Sequence, residues 1–147
     1  MRPILPLDAA AAGFYLDCVK NGAPPPALVA ILTSVGTEQQ ALDIAHALVK
    51  RRLAACVNIL PGVRSIFRWK GKVQQDAELL LIIKTLASNF EAVRGVIKEL
   101  NAYELPEIAA FPAVMADQAF GTWVTDSSTG VASDDDEEDE TGEATID

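Results

Sequence analysis

Histidine is almost missing from this 147-residue chain, which has one, His46, and cysteine occurs only as Cys18 and Cys56. Soft-metal cages need clustered thiolates and imidazoles at short, paired spacings, so a zinc-type centre cannot be drawn within one chain. The two cysteines match no disulfide framework and predict a reducing, cytoplasmic setting. No apolar run approaches the roughly 18 residues that cross a bilayer, so no membrane span is expected. The early Pro3, Pro6 and Asp8 interrupt anything resembling the apolar stretch of a secretion signal. Neither G-x-x-x-x-G-K-S/T nor G-x-G-x-x-G occurs, which removes the two familiar phosphate-cradling loops. Ser34, Ser65 and Ser88 lie in no nucleophile elbow, and no second histidine offers a base and its orienter. No catalytic residue is assigned and no enzyme is expected. His46 reads as a boundary position on a helix, and Cys56 as a small buried hydrophobe.

Charge is abundant but unevenly placed. The formal charge is −9, from 12 basic and 21 acidic residues. Nine of the acids fall in 133–147, seven of them consecutively at 134–140, and the remaining twelve balance the twelve Lys and Arg of the body. Global acidity therefore describes a solvated tail at 130–147, which like charges keep extended. At the other end, residues 1–26 finish in Gly-Ala-Pro-Pro-Pro, a stiff linker, after a segment around Ala9–Val19 with some helical character. Residues 27–129 form the domain.

Within it, ALVAILTS from Ala27 has the β-branched, apolar character of a buried strand, ended by Gly36. Thr37-Glu-Gln-Gln40 is a capping box opening a helix to about Arg52, with Leu42, Ala45, Val49 and Leu53 as its stripe and Ala41 and Leu48 beside it. A long hairpin follows, turning at Lys70-Gly71-Lys72, its first arm bent at Pro61-Gly62, which point to a bulge or an edge, and its second carrying the continuous apolar run Leu79–Ile83. Ser88-Asn-Phe-Glu91 is a second capping box, followed by the stripe Phe90, Val93, Ile97, Leu100. Pro106 stops further helix, Glu107–Phe111 reads as a last strand closed by Pro112, and a short helix over Gln118–Val124 is expected to pack Phe120 and Trp123 on the body.

The order strand, helix, strand, strand, helix, strand with right-handed crossovers predicts an α+β, ferredoxin-like βαββαβ sandwich whose long β2–β3 hairpin outreaches the domain. Two helices cover one sheet face only. The apolar second face and the hairpin edges predict self-assembly.

Two constellations are candidates for binding. Glu104 and Glu107 bracket Pro106 and, repeated around a symmetry axis, would gather oxygen ligands for a hard cation. Arg64, Arg68 and Lys70 fall on one face of the hairpin, opposite Phe67 and Trp69, and form a candidate anion site or interface. The strand ELLLIIKT has no aromatic residue for base stacking, so no nucleic-acid partner is expected.

Four ordered blocks carry a resemblance: RLAACVNILPGV at 52–63, FRWKGKV at 67–73, ELLLIIKT at 78–85 and YELPEI at 103–108. From Leu28 to Trp123 the chain resembles the CutA family of divalent-cation tolerance proteins. The resemblance implies a tight homotrimer of ferredoxin-like protomers and a link to copper and other divalent ions, with no enzymatic activity. Such trimers are similar in architecture to the PII signalling proteins, which leaves two alternatives, a trimer binding a small anionic ligand at subunit clefts and a structural scaffold. Many relatives carry a histidine, proposed for metal contact, where this chain has Asn101, and some carry a strand cysteine where it has Thr33. Glu107 persists, and Gly62, Trp69, Gly71, Tyr103 and Pro106 match the family pattern. No cofactor is firmly implied; a divalent cation such as Cu2+ is the candidate ligand.

Overall fold

The computed structural model describes residues 28–130. Its elements are β1 (Leu28–Val35), α1 (Glu38–Lys50), β2 (Cys56–Trp69), β3 (Lys72–Leu86), a 3-10 turn (Ala87–Asn89), α2 (Phe90–Leu100), β4 (Ala109–Pro112) and α3 (Gln118–Ser127). The strands form one sheet in the order β2-β3-β1-β4, with every neighbouring pair antiparallel. This is the ferredoxin-like α+β sandwich anticipated above.

Strand alternation sorts the sheet into two faces. Ile31 faces Ile83 and Thr33 faces Leu81 across β1 and β3. With Val29 and Val35, the residues Ile31, Leu81 and Ile83 meet Ala41, Ile44 and Leu48 of α1 and Val93, Val96 and Ile97 of α2 in one continuous core. The opposite face carries Leu32 against Ile82, Leu60 against Leu80, and Phe111 against Ala30. Leu60 remains 39% exposed and Phe111 54%. The run Leu79–Ile83 is thus sealed on its helix side, at Leu81 and Ile83, and only half-buried on the other. One end of that second face is crossed by α3, where Lys84 Nζ lies 5.9 Å from the centroid of the Phe120 ring.

The hairpin turns through Lys70 (φ 48°) and Gly71 (φ 79°), both in the left-handed region, as a two-residue connection of this hand requires. A register shift separates Leu60 from Val63, and Gly62 sits there at φ 73°. The bulge falls where Pro61 and Gly62 place it.

Several expectations need correction. On α1 the core side is Ala41, Ile44, Ala45 and Leu48, whereas Leu42 and Val49 are exposed. The stripe is rotated because apolar side chains cover more than half of this helix's circumference. Thr37 Oγ1 does accept from the Gln40 amide at 3.2 Å, but the return half of the box is missing, since buried Gln40 Oε1 has no partner. The second box does not form. Its segment is a 3-10 turn, and Asn89 makes no side-chain cap. Asn89 Nδ2 instead points inward, to Ser128 O at 2.8 Å, Thr85 Oγ1 at 3.2 Å and Leu53 O at 3.4 Å, fastening the end of α3 to the body. β4 begins two residues later than Glu107 and includes Pro112, which pairs with Val29 on an edge strand where a missing donor is tolerated. In α3 the buried residue is Val124. Phe120 and Trp123 stay 38% and 48% exposed, in tilted contact with each other with centroids 5.9 Å apart. Cys56 is half-buried, not sealed in the core. His46 is exposed.

Candidate functional site

The extended arm of the hairpin and the loop at 101–107 enclose a cleft of about 640 Å³. The bulge explains why this arm offers a wall. Beyond it, Val63, Ser65, Phe67 and Trp69 share a face with Glu78, Asp76, Gln74 and Lys72, across the ladder from them. The loop forms the facing wall, and Asn101 holds it. That side chain is buried, donates from Nδ2 to the Ser34 carbonyl at 3.0 Å and accepts from the Tyr103 amide at 2.9 Å. Asn101 therefore ties the end of α2 to β1 and aims Tyr103 at the hairpin. Replacing it with alanine strands the Ser34 carbonyl and should cost about 1–3 kcal/mol. The shift of the urea midpoint at fixed protein concentration measures this.

Glu78 lies at the inner end of the cleft, 9% exposed, and accepts from Ser65 Oγ at 2.6 Å. The Tyr103 phenol feels this carboxylate. Gly36 leaves room for that hydroxyl, since a Cβ there would come within 3.2 Å of Tyr103 Oη. Burial pushes the Tyr103 phenol up to about 12, aided by its interaction with Glu78 and by the negative charges of Glu78 and Asp76. An unfolded phenol titrates near 10.0, so the folded chain holds this proton more tightly. The resulting stabilisation is complete below pH 10 and is lost as pH rises toward 12. In Tyr103→Phe the phenolate absorbance step near pH 12 should vanish, and the fall in stability between those pH values should flatten.

The cleft unites residues that the sequence reading held apart. Arg68, Trp69, Tyr103, Glu104 and Glu107 all line it, whereas Arg64 does not. Lys70 leaves the strand at the turn, so it does not join Arg64 and Arg68 on a common face. Its Nζ lies 5.5 Å from the Trp69 ring centroid and 3.6 Å from the Glu104 carboxylate. Arg68 Nη1 donates to the Gly71 carbonyl at 3.4 Å. Within one chain Arg64, Arg68 and Lys70 therefore do not converge on one point. Glu78 and Asp76 were missed, although the alternation of β3 past the bulge places both on the Trp69 face.

Among the described residues no three His, Cys, Asp or Glu side chains gather to hold an ion. Glu104 and Glu107 are exposed and Glu104 is paired with Lys70. Thr33 is wholly buried with Oγ1 unpartnered, and Asn101 is spent on the backbone. The donor set of one chain does not fit a soft divalent ion.

Among known proteins, the family model for the CutA1 divalent ion tolerance protein matches residues 29–127. The divalent-cation tolerance protein CutA of Thermus thermophilus is 43% identical over 98 residues, covering 67% of this chain and 95% of that protein. Human protein CutA is 35% identical over 112 residues, 76% of this chain and 63% of its own length. Among solved structures, the Thermus thermophilus protein superposes with a TM-score of 0.67 at 42% identity, covering 69% of this chain and 98% of that one. CutA1 of Oryza sativa gives 0.67 at 35% identity, covering 71% and 95%.

Proposed function

The chain belongs to the CutA1 divalent ion tolerance family, and on that premise we propose that it serves tolerance of divalent cations as a non-enzymatic trimer of identical chains in the cytoplasm. The observation that carries the assembly is the second sheet face. Leu32, Leu80 and Ile82 lie half-buried there beside the exposed Leu60 and Phe111, and a contiguous apolar face of this kind calls for a cover. Sister copies supply one without a new partner. Folding and assembly then draw on the same surface, so stability rises with protein concentration.

Cation contact is assigned to carboxylates such as Glu104 and Glu107 shared between copies, a hard, oxygen-rich set that suits loose binding and rapid release. Among the described residues, no helix is long and apolar enough to cross a membrane. Disrupting the gene in its host should lower the copper concentration at which growth halves, and restoring the full chain should reverse this. Calorimetry with Cu2+ should give weak heats that Glu107→Ala reduces. Unchanged copper sensitivity in the disrupted strain contradicts the proposal.

A further inference from the structure

We propose that α3 is a strap, closed over the end of the sheet that it crosses by a latch on its carboxyl end, and that it opens as a unit while the rest of the fold stays intact. The latch is Arg52. At the end of α1 the Leu53 amide donates to the Leu48 carbonyl at 2.9 Å and the Arg52 amide to the Val49 carbonyl at 3.0 Å. This pair of bonds sets the residue after the Arg51 cap in the left-handed region, where Arg52 stands at φ 53°. Glycine is favoured at such a point, because a Cβ strains the backbone there. An arginine held against its backbone preference points to a role for its side chain.

That side chain crosses to α3. Its Nη2 donates to the Asp126 carbonyl at 2.6 Å and its Nε to Thr129 Oγ1 at 3.3 Å, while the Gly130 amide donates to the Arg52 carbonyl at 2.8 Å. The last carbonyls of a helix have no partner within it, and that end attracts cations. α3 has no basic residue of its own in its last turn, so the guanidinium from beyond α1 meets both needs. Asn89 fastens the same end through the Ser128 carbonyl.

Along the rest of α3, Val124 is the buried side chain. A helix held by one apolar anchor and a few polar bonds at one end belongs to the part of a fold that opens first. Ser128, beside the latch, is buried with Oγ unpartnered, and opening returns that hydroxyl to water, which narrows the gap between closed and open. At the other end the Ala113 amide is tied to the Leu28 carbonyl at 3.0 Å. The joint of the strap therefore falls at 114–116, between β4 and the Asp117 cap. This device goes beyond cation tolerance and does not rest on it.

Native-state hydrogen exchange of the full chain, followed at the amides of 118–128, tests the proposal. In the wild type those amides should exchange together through one opening, faster than the amides of Ile31 and Ile83. Arg52→Gly should speed them about tenfold or more. The same change should leave the Leu53 and Ala54 amides as protected as before, or better, because glycine suits the left-handed backbone. Arg52→Gln keeps a side chain on that backbone but removes the guanidinium, and should speed α3 alike. The proposal falls if the wild-type α3 amides exchange only together with the core, or if either variant leaves their rates unchanged. It falls equally if Arg52→Gly loosens the end of α1 as much as it loosens α3.

Discussion

Leu60→Asp should yield single chains that keep their circular dichroism at room temperature but melt lower and do not assemble. Leu60 stands opposite Leu80 on the face that the helices leave open and is 39% exposed in one chain. A carboxylate there stays hydrated in an isolated protomer, so the fold tolerates it. In a trimer the same group is pressed against the apolar face of a neighbour and loses its hydration with no partner, at a cost of several kcal/mol per copy. Light scattering would report the mass of one chain. A variant that remains trimeric would place the interface elsewhere.

Ile31→Ala is expected to cost about 2–5 kcal/mol, because the removed carbons leave a cavity that a close-packed core refills only in part. Ile31 is completely buried at the centre of β1, paired with Ile83 on one side and Ala110 on the other. That loss is a large share of a domain stability of about 5–15 kcal/mol. Leu42→Ala, on the exposed side of α1, should cost far less, which checks the corrected phase of that helix. Urea midpoints of both variants at equal protein concentration decide the matter, and equal losses would restore the stripe read from sequence.

What was legible in the sequence was whatever one or two residues determine locally. The turn at Lys70-Gly71 and the bulge at Pro61-Gly62 need backbone angles or a missing donor that few other residues supply, so both were placed correctly. The order of elements and the uncovered sheet face followed from alternation and crossover handedness. The phase of α1 was not legible. Ala41, Leu42, Ile44, Ala45, Ala47, Leu48 and Val49 cover more than half of the helix's circumference, and only the position of the sheet selects among them. The cap expected at Ser88 failed for a tertiary reason, because Asn89 gains more from Ser128, Thr85 and Leu53 than from a local amide.

The cleft was the least legible part. Glu78 and Tyr103 lie 25 positions apart and meet because Asn101 anchors the loop to Ser34, a contact with no local signature. Lys70 was assigned to a strand face by alternation, which stops applying at a turn. Trp69, Tyr103, Glu104 and Glu107 were each singled out, yet their convergence on one cavity depends on how the 101–107 loop runs along the arm.

Sedimentation equilibrium of the unaltered chain at micromolar concentration tests most directly whether sister copies cover the open sheet face. A single species of three times the 15.7 kDa chain mass is expected. A stable, fully folded species of one chain mass would contradict the account.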